Sequence, residues 1–206
     1  MTLKCKRLKQ VNQSMYSRSN NFAIYTDEEL MQFVCDGKEQ AFEMIYLRYG
    51  KNLLNYYHKM LNYDVEKAKD ALQDLFLKIA EHPEKFDKTQ NFKTWLYTIA
   101  SNACKNYYRH ISVVVKAHEE ISYLNETNVS SGEKHFKIDK NNFLNELNGI
   151  LETLPFEKKE AFLLRYLEDK SINEISQIQG IAEGTVKSRI HYTLKLLETQ
   201  LIAFKP

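Results

Sequence analysis

The chain has 206 residues, 43% of them hydrophobic, and 29 Lys and Arg against 27 Asp and Glu give a formal net charge of +2. That length holds one or two domains, and the near-neutral balance says little about partners by itself. Only six Gly and three Pro argue against an all-β fold built on many tight turns, and the lack of a run of about 18 apolar residues argues against membrane insertion. Cys5, Cys35 and Cys104 are scattered without a CxxC or a Cys/His ligand spacing. No zinc site, other metal or disulfide framework is expected, no cofactor is called for, and a reduced cytoplasm fits.

Residues 1–20 carry Lys4, Lys6, Arg7, Lys9 and Arg18 with no acid and no apolar h-region, so residues 1–21 read as a disordered basic arm and not as a secretory signal. A first helical domain is expected over residues 22–110. Thr26 with Glu29 forms a capping box, Asp27 and Glu28 suit the positive end of a helix dipole, and Gly37 closes that helix. Ala41, Phe42, Ile45, Tyr46 and Tyr49 mark a second helix stopped near Gly50, and Leu53, Leu54, Tyr57 and Leu61 continue a third segment. From Asp64 to Glu81, Val65, Ala68, Leu72, Leu75 and Ile79 alternate steps of three and four, and Pro83 ends the helix. Asp70, Gln73, Asp74 and Leu77 share the opposite face. An exposed Leu between carboxylates and an amide could form a partner surface; the plainer reading is a solvated face.

The polar loop Asp87–Asn91 leads into a helix from Phe92 to about His110. Phe92, Leu96, Ile99, Ala103 and Tyr107 are expected to face inward. Lys93, Tyr97, Ser101, Asn102, Lys105, Asn106, Tyr108 and Arg109 face out, with Trp95 at the border. No acid occurs between Asp87 and Glu119. Aromatic rings stack on unpaired bases while Lys and Arg track phosphates, so this face suits single-stranded DNA better than duplex.

Residues 111–139 lose the pattern and read as a flexible linker. A second helical domain follows over residues 140–206. Phe143, Leu144, Leu147, Ile150 and Leu151 form one stripe, and Pro155 suits the first turn of a helix carrying Phe162, Leu163, Tyr166 and Leu167. Ser171 with Glu174 is a second capping box, Ile172, Ile175 and Ile178 face inward, and Gly180 ends that helix cheaply. Val186, Ile190, Leu194 and Leu197 then line one face of a last helix, leaving Thr185, Lys187, Ser188, Arg189, His191 and Tyr192 mostly outside it. This is the layout of a helix-turn-helix, whose second helix reads the major groove near its N-terminal end. Arg grips guanine, Ser and Thr bond several base edges, and Lys mainly meets phosphate. The fold class is therefore all-α: two helical domains joined by a flexible linker, the C-terminal one containing a helix-turn-helix.

These motifs, in this order, resemble an extracytoplasmic-function (ECF) RNA polymerase sigma factor of the two-domain type. Asp70–Phe76 is similar to the region 2 helix that docks on core polymerase, Phe92–Tyr107 to the part that melts and reads the −10 element, and Gly184–Arg189 to the region 4 recognition helix for the −35 element. The loop Asp87–Asn91 falls where the family captures a flipped base, which adds Lys88 and Asn91 to the −10 set of Lys93, Trp95, Tyr97, Asn102, Lys105, Asn106 and Arg109. The resemblance implies core-polymerase contacts at Asp70, Gln73, Asp74 and Leu77, and −35 contacts at Thr185, Lys187, Ser188, Arg189 and His191. It implies bacterial core RNA polymerase, promoter DNA and an anti-sigma factor as partners, and no catalytic residue. The rivals are an operator-binding regulator, disfavoured by the absence of a βαβ receiver pattern, and a helical hydrolase, disfavoured by the absence of a metal spacing such as HExxH.

Overall fold

The computed structural model describes residues 22–121 and 140–202. Among them the chain forms eight α-helices and no strand: α1 Asp27–Cys35, α2 Glu39–Met60, α3 Val65–Glu81, α4 Phe92–Ile121, α5 Lys140–Glu152, α6 Phe156–Tyr166, α7 Ile172–Gln179 and α8 Glu183–Gln200. A 3-10 turn, Pro83–Lys85, follows α3. The chain divides into two compact units, residues 1–100 and 101–206, so the division falls within α4. The expected basic arm lies outside the described residues, as does most of the expected linker.

In the first unit, the Thr26 hydroxyl accepts from the Glu29 amide at 3.2 Å and the Glu29 carboxylate accepts from the Thr26 amide at 2.8 Å. This reciprocal cap stabilises α1 by about 1 kcal/mol. Arg48 clamps the same end, bonding Asp27 at 2.6 Å and the Tyr25 and Ala23 carbonyls. The Tyr49 hydroxyl donates to Asp27; burial, reinforced by that bond, pushes its ionisation well above the ordinary phenol range.

The break expected near Gly50 is absent, and α2 runs unbroken for 22 residues. A mid-helix glycine costs about 1 kcal/mol. Its neighbours outweigh that: Tyr49, Leu53, Tyr56, Tyr57 and Met60 are all buried, each side chain contributing on the order of 1.5–3 kcal/mol. The α3 stripe also differs in detail. Val65 is exposed at the first helical position, and Phe76 takes a buried place with its ring against Phe42 and Tyr46.

The fourth helix continues past His110 to Ile121. Nothing between Phe92 and Ile121 is Gly or Pro, and losing apolar periodicity does not stop a helix that is already nucleated.

The second unit buries Ile150, Leu151, Leu154, Ala161, Leu163, Leu164, Ile175, Ile178, Val186, Ile190 and Leu197. Only the C-terminal half of the α5 stripe is covered, since Phe143 and Leu144 are exposed; so is Tyr166 on α6. Lys159, Glu160, Glu168, Lys170, Gln179 and Thr193 are buried among the apolar side chains.

Candidate polymerase and nucleic-acid interfaces

The outer face of α3 follows from its amphipathic pattern. Ala68, Leu72, Leu75, Phe76 and Ile79 turn inward, which leaves Asp70, Gln73, Asp74 and Leu77 exposed together one and two turns apart. Leu77 keeps 51% of its surface in solvent. Asp64 caps the helix start by accepting from the Lys67 amide, and the side-chain and backbone bonds to Lys67 hold its carboxyl below the usual range. Beside this face lies a groove of about 560 Å³ lined by Phe42, Tyr46, Leu54, Leu72, Phe76 and Leu77, with Gln73 and Lys69 at its polar edge. Tyr46 is 47% exposed. It belongs to the apolar set that marks α2 in the sequence, yet its place on that helix puts half the ring in solvent beside Leu77. An apolar surface left uncovered next to carboxylates is the composition expected of a protein-binding patch.

The loop before α4 is stiffened by its own side chains. Asp87 accepts from the Thr89 amide and hydroxyl, both at 2.9 Å, and these bonds hold its carboxyl below the ordinary range. Asn91 accepts from the Thr94 amide at 2.9 Å and from its hydroxyl at 3.2 Å, so its carbonyl oxygen caps α4 and only the amide NH2 remains for a ligand. The Phe92 amide donates to Glu28 at 3.0 Å, tying this start to α1. Lys88 is exposed in the loop, Lys93 is half-buried, and Trp95 is half-buried against Phe86 and Phe92.

Tyr97 is not on this surface. It is fully buried, its ring edge-on to Tyr56 at 5.7 Å. The inward face of α4 runs through Phe92, Leu96, Tyr97, Ala100, Ser101 and Cys104, while Ile99, Ala103 and Tyr107 are half-buried. The buried stripe therefore sits about one residue round from the apolar stripe of the sequence, because a tyrosine and a serine occupy core positions. Burial, with the Glu160 carboxylate nearby, pushes the Cys104 thiol far up, which makes it an inert packing group. Asn102, Asn106 and Arg109 are exposed and Lys105 is half-buried. These four lie on the part of α4 that belongs to the second unit. There Lys105 and Arg109 edge a shallow groove with Tyr108, Phe156 and Glu157. Burial pushes the Tyr108 hydroxyl up to about 12.

The helix-turn-helix is assembled from local signals. Ser171 and Glu174 exchange bonds at 3.2 and 2.8 Å to start α7. Gly180 ends it at φ 67°, a left-handed conformation that costs a residue with a Cβ about 1–2 kcal/mol. The Ile181 amide returns to the Ser176 carbonyl at 3.1 Å, fixing the turn. Asn173 bonds Glu183 at 3.2 Å across the two helices. On α8, Val186, Ile190, Thr193 and Leu197 are buried; Leu194, expected inside, is 40% exposed and Thr193 takes the inner place, its hydroxyl bonded to the Arg189 carbonyl. Thr185, Lys187, Ser188 and His191 are exposed along the first turns. Arg189 is half-buried and donates to Gln179 at 2.8 Å. The Lys158 ammonium sits 3.2 Å over the Tyr192 ring, which braces α8 against α6.

Among the described residues no group of three or more His, Cys, Asp or Glu could hold a metal ion, and no helix is long and apolar enough to cross a membrane.

The described residues form an all-α protein that carries a capped helix-turn-helix. Residues 45–112 match the family model for sigma-70 region 2, and residues 144–197 match that for sigma-70 region 4. The ECF RNA polymerase sigma-E factor of Haemophilus influenzae is 30% identical over 186 residues, which is 85% of this chain and 95% of the relative. The chain belongs to the ECF sigma factor family. Its fold is similar to that of CnrH in complex with the cytosolic domain of CnrY, with a TM-score of 0.65, 20% identity and coverage of 87% and 99% of the two chains. It is also similar to the sigma factor RpoE of Bartonella quintana in complex with the anti-sigma factor NepR, with a TM-score of 0.60, 22% identity and coverage of 80% and 98%.

Proposed function

We propose that this chain binds bacterial core RNA polymerase, directs it to promoters through the −35 and −10 elements, and promotes strand opening. The observation that carries the reading is the start of α8, where Thr185, Lys187, Ser188 and His191 are exposed in a row behind the Gly180 turn, in a chain that belongs to the ECF sigma family. A helix presented in this way fits the major groove of a −35 duplex. Asp70, Gln73, Asp74 and Leu77, with the groove beside them, fit a basic and apolar surface on core polymerase. Lys88, Lys93, Trp95, Asn102, Lys105, Asn106 and Arg109 are the candidates for the unpaired −10 strand, along with the free amide group of Asn91. Tyr97 supports that surface from beneath.

The chain contributes no chemistry of its own. Binding energy to the open strand shifts the duplex toward the melted state. An anti-sigma factor is the expected inhibitor, since the similar fold of the Bartonella quintana sigma factor RpoE is seen with such a partner, and the cytoplasm, where polymerase meets the chromosome, is the expected place of action.

Run-off transcription with core polymerase over genomic promoter fragments tests the whole reading. Start sites that appear only with this protein are the expected result; a folded protein that neither binds core nor initiates would overturn it. Within that assay, the double substitution Gln73→Ala, Asp74→Ala is expected to weaken core binding about ten-fold, the order of two interface contacts. Unchanged affinity would remove α3 from the core-binding surface.

A further inference from the structure

Gln179 is the last residue of α7, and it is buried. A leucine would fill such a position without a polar penalty, so a buried amide there must be bonded to be tolerated. Its bonds reach two other helices. The Nε2 group donates to the Glu160 carboxylate at 2.8 Å and to the Glu157 carbonyl at 3.2 Å, both on α6. The Oε1 atom accepts from Arg189 Nη1 at 2.8 Å, on α8. One amide therefore joins all three helices of the reader. Glu160, fully buried behind it, draws the amide N–H toward its carboxylate, which polarises the carbonyl and makes it a better acceptor for the guanidinium.

Arg189 lies at the edge of the buried stripe, one turn on from exposed Thr185, and is itself only half-buried. A guanidinium carries five N–H donors, and grasping a guanine edge takes two of them. The bond to Gln179 uses one Nη1 hydrogen and leaves enough for that fork. An arginine on an exposed helix face samples many rotamers, and ordering them reduces affinity on binding. One anchored at its tip has already given up that freedom.

We infer that Gln179 is a positioning residue: held by Glu160 and Glu157, it fixes the Arg189 guanidinium at one place on the DNA-facing side of α8 and so sets base discrimination at the −35 element. This rests on the reading of α8 as the promoter-reading helix. Gln179 does not touch DNA in this arrangement. It acts through Arg189.

The test uses the full chain with core polymerase on two template pools, one randomised across the −35 element and one across the −10 element, with the preference ratio for best over average sequence read from each. Gln179→Met keeps the volume and removes the amide. It is expected to lower the −35 ratio about ten-fold, the size of one bidentate contact, and to leave the −10 ratio unchanged. In an Arg189→Ala background the same substitution should do nothing further. The exchanged pair Glu160→Gln, Gln179→Glu keeps an amide bonded to a carboxylate and restores an acceptor for Arg189, so it should recover the ratio. Loss of folding alone would lower yield from both pools without this pattern. Should Gln179→Met prove unfolded, the exchanged pair against Glu160→Gln alone reads the same coupling. A wild-type −35 preference that survives Gln179→Met, or that falls equally in the Arg189→Ala background, overturns the inference alone. A wild-type protein with no −35 preference overturns the reading of α8 and the inference with it.

Discussion

The two units are built on cores of different chemistry. The first packs rings: Tyr56, Tyr57, Tyr97 and Phe92 are its largest fully buried side chains, with Phe86 and Tyr49 beside them. The second buries charge and amides, with Lys159, Glu160, Glu168, Lys170 and Gln179 among its leucines and isoleucines. Apolar and aromatic packing is strong but tolerant of small shifts, whereas a buried polar network is satisfied in one arrangement only. The contrast matches the roles proposed for each unit. An α3 face proposed to meet another protein through Leu77 and a shallow groove can adjust on contact. A helix proposed to discriminate base edges needs its angle and its arginine held to a fraction of an ångström.

That contrast can be broken from either side. Phe92→Ala should cost about 3–5 kcal/mol, the usual loss for a buried ring, and hydrogen exchange should show it in α1, α2 and α4 while α7 and α8 stay protected. Equal loss of protection in both units would mean they fold as one. Glu160→Ala should cost about 3 kcal/mol, because removing one member of a buried polar set strands the others; here α6 to α8 should open while α2 and α3 remain protected. A neutral result in urea unfolding would show that the second core tolerates slack as the first does.

Smaller effects sharpen the same point with two glycines. Gly180→Ala should destabilise by about 1–2 kcal/mol, because the left-handed φ of 67° penalises any Cβ. Gly50→Ala should be neutral or slightly stabilising: its added Cβ would meet the Tyr46 ring at 3.4 Å, an ordinary contact with a half-exposed side chain, while helix propensity improves. Thermal unfolding of the pair gives the sign of each change directly.

The last effect is alkaline. The Tyr108 hydroxyl is raised to about 12, above the free phenol value of about 10. The folded form holds its proton more tightly, so its stabilisation is complete below about pH 10 and is lost as pH rises toward 12. Tyr108→Phe should reduce the loss of stability across that window and leave the part carried by Tyr49 and Cys104, which are raised in the same direction; an unchanged slope would assign the whole alkaline loss to those two groups.

What lay in the sequence was the part that depends on neighbours along the chain. The capping boxes at Thr26 and Ser171, the turn at Gly180 and the exposed α3 face are each decided within a turn or two of one helix, where the groups concerned are already neighbours along the chain. Tertiary structure decided what depends on distant partners. Gly50 stays helical because the buried rings around it outweigh its propensity. Tyr97 turns inward because Tyr56, forty-one positions earlier, offers a ring to pack on, and no local pattern separates such a tyrosine from a DNA-stacking one. Arg189 looks like a free surface cation in the sequence and is anchored in the fold, since its partner Gln179 belongs to another helix and that partner's own bonds run to a third. Periodicity gives a helix its faces, but only packing decides which polar groups on those faces are committed inside the protein and which remain for a partner.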